Sequence, residues 1–325
     1  MLSLAERRRQ LQAASPFFTR FVPIACVVYL AALAAVGGLG PEHWAMAGVL
    51  LFFSFASDSS RNLARVVFPF LLYGAVYDSM RWYADYIRSP VIHLREPYEF
   101  DKRFFGIQTA QGLLTPNEWL QQRTVPVLDF FTGLSYTPFS FVGESILLTL
   151  YYFFSAEEKR AVRFAWVFVI ANFVGFSFYY TYPAAPPWYV ADHGFVADFT
   201  VRASAAGTIR FDKLVGVPIM QGFYGKSADV FGAIPSLHIV YPFLALCYGW
   251  RLPRFRWVAL GYFLLVCFAA VYLNHHYVLD ILVGLGVALS VMGAFRLALG
   301  KINAPLPLRE PAIALARSDG QGRAI

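Results

Sequence analysis

Charge is scarce in this chain. Only 14% of its 325 residues are Asp, Glu, Lys or Arg, where soluble domains carry about a quarter. Cysteine is scarcer still. The three present, Cys26, Cys247 and Cys267, all fall inside apolar runs. They are too few and too scattered for a disulfide framework or a zinc site, and are expected to be small core residues. CxxC, HExxH, Walker-loop and GxGxxG patterns are missing, which removes the usual signatures of thiol redox, zinc peptidase, P-loop and dinucleotide chemistry. The formal charge is +7. Its Lys and Arg lie in short segments between apolar runs, so membrane topology accounts for them and a nucleic-acid partner is not expected.

What the chain does have is apolar length. It is 58% hydrophobic with a mean hydropathy of +0.51. A water-soluble fold would leave too much of that surface exposed. The expected fold is all-α: a polytopic membrane helix bundle of about six to eight transmembrane helices with one or two interfacial helices. Candidate spans are 21–37, 44–57, 63–79, 137–155, 163–182, 236–250, 256–274 and 277–297. The first follows Arg7-Arg8-Arg9 and reads as a retained signal anchor, not a cleaved peptide. With the N-terminus inside, the inner segments hold 17 of the 27 Lys and Arg. The short outer loops 38–43 and 275–276 hold none. Both termini are therefore expected on the cytoplasmic side.

Four regions follow: a cytoplasmic N-terminus at 1–20, helices plus an outer segment at 21–136, a membrane core at 137–300, and a disordered tail at 301–325. The segment 80–136 carries Trp82, Tyr83, Tyr86 and Trp119, giving it interfacial character. Within it, Thr115-Pro116-Asn117-Glu118 reads as a capping box opening a surface helix from about 116 to 133. No internal repeat is visible.

Two short motifs carry the chemistry. In His275-His276-Tyr277-Val278-Leu279-Asp280, His276 and Asp280 are four residues apart, on one helix face. The Asp can accept the proton of one ring nitrogen and leave the other as a nucleophile or base. A bland alternative is a His–Asp pair filling a polar gap between helices. Placement in a membrane span favours function. In Pro235-Ser236-Leu237-His238, Pro suits a first helical turn, Ser236 adds a donor for an anion, and His238 could protonate a leaving oxygen. Alone, this motif reads more readily as a helix cap with an interfacial His. In the counted orientation both histidines open spans from the outer side. A third element, Tyr182-Pro183-Ala184-Ala185-Pro186-Pro187-Trp188-Tyr189, is a rigid exit from the membrane that could wall a headgroup site. Asp78 and Arg81, at i,i+3, could pair with each other or hold a headgroup. Glu144 is expected to pair within the bundle.

Gly232-Ala233-Ile234-Pro235-Ser236-Leu237-His238 followed by Leu273-Asn274-His275-His276-Tyr277 through Asp280 resembles the type-2 phosphatidic acid phosphatase superfamily. With Ala185-Pro186-Pro187-Trp188-Tyr189 upstream, the pattern is most similar to its inositol phosphorylceramide synthase branch. The resemblance covers about 182–285. It implies His276 as nucleophile, Asp280 as its orienting partner, and His238 as general acid and then base. Ser236 and Pro235 would lie at the phosphate, and His275, Tyr277, Trp188 and Tyr189 near the headgroup. No metal or cofactor is implied. Phosphatases of the superfamily carry Ser-Arg before the nucleophile. Here Ala269-Ala270 stand there, which favours transfer over hydrolysis. Phosphate still needs a counter-charge, for which Arg81, Arg210, Lys213 and Lys226 are candidates. The expected activity moves a phospho-headgroup from a phospholipid donor to a lipid hydroxyl such as ceramide, at the outer face. Water as acceptor would make the same machinery a lipid phosphatase. A transporter with a His/Asp relay is disfavoured, since no inverted repeat is visible. Oligomeric state stays open.

Overall fold

The computed structural model describes residues 17–225 and 230–299. A short π turn, Phe17–Phe21, leads into α1, Val22–Ala35. Then come α2 (Pro41–Phe55), α3 (Asp58–Ile87), α4 (Arg95–Phe105), β1 (Ile107–Thr109), β2 (Gly112–Leu114), α5 (Pro116–Gln121) and α6 (Pro126–Ser135). The rest of the bundle is α7 (Pro138–Phe154), α8 (Glu158–Thr181), α9 (Pro187–His193), α10 (Ile209–Val215), α11 (Ile219–Tyr224), α12 (Leu237–Gly249), α13 (Phe255–Tyr272) and α14 (Val278–Leu299). Among the described residues, five helices are long and apolar enough to cross a membrane, and α7 and α12 add shorter apolar helices. The protein is an integral membrane protein.

Every candidate span coincides with a helix. The helix starts follow local chemistry. Ser57 caps α3 with a reciprocal Ser60 contact, and Pro stands at the first turn of α2, α5, α6, α7 and α9, where its missing N–H is harmless. The surface helix expected over 116–133 is in fact two. Thr115 and Glu118 form the capping box, but the helix ends at Gln121. Val125 is extended, as a residue before proline prefers, and Pro126 starts α6. A small antiparallel hairpin, Ile107 opposite Leu114, was not expected.

Helix α8 is the hub. Ala161, Phe164, Ala165, Val167, Phe168, Val169 and Ala171 have no exposed surface. Residues on so many faces are covered only in a central helix. Around it stand α3, α7, α12 and α14, with Val66, Phe70, Leu148, Tyr152, Val240, Leu244 and Ala288 in one core. Two residues depart from expectation. Cys247 is exposed, not core, while Cys26 is buried. Glu144 does not pair: its Oε2 is buried without a hydrogen-bond partner among the described residues. The terminal regions expected at 1–20 and 301–325 fall outside the described residues except for 17–20.

Candidate active site

One end of the bundle gathers the three motifs. The Tyr182–Tyr189 exit is non-helical from Tyr182 to Pro186 and enters α9 at Pro187. Ala184 donates to the Phe231 carbonyl at 2.7 Å and accepts from the Ala233 amide at 3.2 Å. This fixes the approach to Pro235 and Ser236, which lead into α12. The start of α12 is in turn held to α14, because the Ser236 amide donates to the Asp280 carbonyl at 3.0 Å. Gly284 permits that approach: a Cβ there would lie 2.7 Å from the Ser236 carbonyl oxygen. Gly284→Ala is expected to push α14 off α12, costing about 1–3 kcal/mol of stability and lowering turnover. Thermal unfolding in detergent checks this; unchanged stability and turnover would contradict the close approach.

His276 sits in the loop between α13 and α14, buried with 5% exposure. Its Nδ1 is 3.2 Å from Asp280 Oδ2 and 3.0 Å from the Ala233 carbonyl oxygen. A carbonyl only accepts, so Nδ1 carries the hydrogen and Nε2 is left as a lone pair. That lone pair faces His238 Nδ1 at 3.1 Å, so the hydrogen in this contact belongs to His238. Asp280 is fully buried, and its Oδ2 also accepts the Tyr277 amide at 2.9 Å. It thus caps α14 and holds the imidazole at once. The His238 ring stacks on Tyr136, with centroids 4.4 Å apart, and meets the Phe141 edge.

A cavity of about 130 Å³ opens in front of the two histidines. Tyr73, Tyr77, Tyr179 and Tyr241 line it on the bundle side, and Trp188, Ser204, Phe223 and Tyr224 on the loop side. No Lys, Arg, Asp or Glu is among the described residues lining it. Tyr241 donates to Asn172 Oδ1 at 2.6 Å, and its hydroxyl lies 3.3 Å from that of Tyr73. Ser236 Oγ and Tyr224 Oη are buried without hydrogen-bond partners among the described residues. Orphaned hydroxyls of this kind fit a polar ligand.

The other candidates divide clearly. His275 lines the cavity, donates through Nε2 toward the Ala205 carbonyl at 3.2 Å, and lies between the rings of Tyr136 and Tyr224. Trp188 lines it too, and its amide donates to the Asn274 carbonyl at 3.1 Å. Pro235 accepts the Tyr179 hydroxyl at 3.1 Å. Tyr277 turns away, its ring edge-on to Tyr98. Tyr189 is also drawn off: its hydroxyl takes the Asp198 amide at 2.7 Å and pins the following loop. Asp78 pairs with Arg81 and with His43 at 2.8 Å, off the cavity wall. Arg210 is spent on Asp129 at 2.6 Å, Gln121 and the Tyr272 carbonyl. Lys213 is exposed, and Lys226 lies outside the described residues. The counter-charge expected from Arg81 or Arg210 is therefore not where it was sought, because each has a closer carboxylate. Among the described residues no cluster of His, Cys, Asp and Glu is arranged to hold a metal.

The order of elements and motifs across this site has a match in known sequences. The PAP2 superfamily profile matches residues 107–294. The chain belongs to the PAP2 superfamily. Among its PAP2 relatives, the phosphoinositol dihydroceramide synthase of Bacteroides thetaiotaomicron is 36% identical over 289 residues, covering 88% of this chain and 93% of that protein. The inositol phosphorylceramide synthase of Candida albicans is 34% identical over 52% of this chain and 36% of its own length. The inositol phosphorylceramide synthase catalytic subunit of Schizosaccharomyces pombe is 32% identical over 52% and 40%. No solved structure matches the chain. The profile begins at β1, so this PAP2 match takes in the later part of the outer segment, from 107 on, as well as the motif-bearing half.

Sequence reasoning missed the tyrosine wall and two residues that hold the loop, Asp101 and Asn117. Tyr241 stands three residues after His238 on α12, which puts it one turn deeper on the same face; that spacing was the available signal. Asp101 and Asn117 reach across more than 150 residues of sequence, and no local pattern announces such contacts.

Proposed function

We propose that this protein transfers phosphoinositol from phosphatidylinositol to the primary hydroxyl of a ceramide-type lipid through a phosphohistidine at His276. The observation that carries the chemistry is the Asp280–His276–His238 line, in which Ala233 and Asp280 hold the hydrogen on Nδ1 and leave Nε2 free. The headgroup and the acceptor are taken from the Bacteroides relative, whose name states phosphoinositol and dihydroceramide and which this chain parallels over 88% of its length; phosphatidylinositol is the phospholipid that carries that headgroup.

In the first step His276 Nε2 attacks phosphorus and the bond to the diacylglycerol oxygen breaks. His238, as imidazolium, gives its Nδ1 proton to that oxygen, and diacylglycerol leaves. The phosphoryl-imidazole gains positive charge beside the Asp280 carboxylate. In the second step the acceptor hydroxyl gives its proton to His238 Nδ1, attacks phosphorus, and the P–N bond breaks. Atoms and protons balance, and His238 returns to imidazolium. With no Lys or Arg among the described lining residues, the phosphodiester itself holds the proton on His238, and the ion pair formed as it binds supplies the counter-charge. Ser236 Oγ and the start of α12 complete the phosphate cradle. The aromatic wall favours a lipid acceptor over water. The positive-inside count supports placing this end of the bundle on the outer face.

The tyrosines suit a headgroup rich in hydroxyls and poor in charge. Tyr73→Phe is expected to lower kcat/KM for phosphatidylinositol about threefold to tenfold with little change in unfolding temperature. An unchanged kcat/KM would remove Tyr73 from the headgroup contact. The reading as a whole is tested in vesicles holding phosphatidylinositol with and without ceramide. Lipid mass spectrometry should find inositol phosphorylceramide and diacylglycerol only when both are present. Free inositol phosphate in either vesicle, without the ceramide product, would mean hydrolysis.

A further inference from the structure

The loop 271–279 that carries His276 has an unusually complete set of hydrogen bonds, and much of it comes from the outer segment. Asn117 Nδ2 donates to the carbonyls of Val271 at 3.0 Å and His276 at 3.1 Å. Gln121 donates to the Tyr272 carbonyl at 2.8 Å. The Gly207 amide donates to the Leu273 carbonyl at 2.9 Å. Asp101 closes the far side: its Oδ2 accepts the Val278 amide at 2.7 Å and its Oδ1 the Leu279 amide at 3.0 Å. These two amides open α14 and have no acceptor within the helix. Asp280 takes the preceding amide, of Tyr277. The first turn of α14 is thus capped by two carboxylates. One belongs to the helix and holds His276; the other comes from α4.

Asp101 has no exposed surface. A buried carboxylate is costly unless its lone pairs are used, and both of its oxygens are. Burial pushes its carboxyl up to about 6, with the Val278 and Leu279 amides drawing it back and the nearby Asp280 carboxylate adding to the rise. Its helix is short and amphipathic, with Arg95, Glu99, Arg103 and Phe104 exposed. Nothing about α4 itself needs a buried carboxylate at this position.

We propose that Asp101 is a positioning residue for transfer: by capping α14 from α4, with Asn117 gripping the His276 carbonyl, it sets the height of His276 Nε2 and the Asp280 carboxylate against the phosphorus. The proposal rests on His276 being the nucleophile. It places the outer segment in the catalytic apparatus without any contact to substrate. Misplacing a reacting atom by about 1 Å can cost on the order of 100-fold in rate, and release of two amides at the start of α14 permits such a shift.

The test uses the full-length protein in vesicles. Asp101→Ala and Asp101→Asn are compared with Glu99→Ala, an exposed neighbour on α4. Asp101→Ala is expected to lower kcat about 10- to 100-fold, leave KM for both lipids within about twofold, and speed hydrogen exchange in the peptide spanning 276–280. Asp101→Asn keeps one acceptor oxygen and should recover part of the rate. Glu99→Ala should match the wild type. A folded Asp101→Ala enzyme with wild-type kcat would overturn the proposal. So would a loss seen only in KM, or one explained by the amount of folded protein. The same comparison can be run on any phosphoester that the wild type cleaves, so an error in the lipid assignment and an error in the role of Asp101 give different results.

Discussion

Replacing His276 with alanine is expected to lower transfer by at least about four orders of magnitude, the scale seen when a covalent nucleophile is removed. The protein should still insert and fold, because the loop is held mainly through its backbone. Its carbonyls go to Asn117, Gln121, Gly207 and Trp188, and its amides to Ala270, Asp280 and Asp101. Among the described residues, the imidazole hydrogen-bonds to Ala233, Asp280 and His238. Turnover per folded molecule, normalised by detergent-solubilised monodisperse protein, checks this. A residual rate within tenfold of wild type would mean that phosphorus is attacked by something else.

The second large effect concerns His238. Its removal should cost about 10²–10⁴ in rate with phosphatidylinositol, whose leaving group is a poor alcohol that needs a proton. With an inositol phosphodiester bearing a nitrophenyl group, the first step needs no acid. Release of nitrophenol should then be far less impaired in His238→Ala. The pattern follows from proximity: His238 Nδ1 is 3.1 Å from His276 Nε2, so a phosphoryl group that displaces this contact and parts the two rings is met by the proposed nucleophile and the proposed acid together. Equal losses with both substrates would assign His238 to binding. Because the described cavity wall has no Lys or Arg, His238→Ala also strips the counter-charge. A rise in donor KM should accompany the loss in kcat.

Much of this was legible in the residues, for reasons that can be named. A membrane span must satisfy its own backbone, so apolar length reports helices directly, and the spans at 236–250 and 277–297 fall on α12 and α14. The His276–Asp280 contact survives because the two residues are close in sequence, although His276 lies in the loop before α14 and not on its face. Ser236 does open a helix, as its N-cap, but Pro235 stands before that cap and not in the first turn. What escaped is long-range. Arg210 looked available as a phosphate ligand because its partners, Asp129 and Gln121, come from α6 and α5, about 80 residues away. Tyr277 and Tyr189 looked like site residues because they sit in motifs, yet each ring or hydroxyl has a closer use. Asp101 gave no signal: one Asp in an amphipathic helix is ordinary until the fold brings α14 onto it. The split of the 116–133 helix was within reach, since Pro126 stands in its middle.

The central claim is a covalent intermediate that carries the whole headgroup on His276. It is tested most directly by quenching the enzyme at neutral or alkaline pH, where phosphoramidates survive, after exposure to phosphatidylinositol without acceptor. Mass spectrometry of the peptide containing His276 should show added phosphoinositol, lost on addition of ceramide. An unmodified peptide under conditions that support transfer, an adduct on another residue, or a bare phosphate on His276 would contradict it.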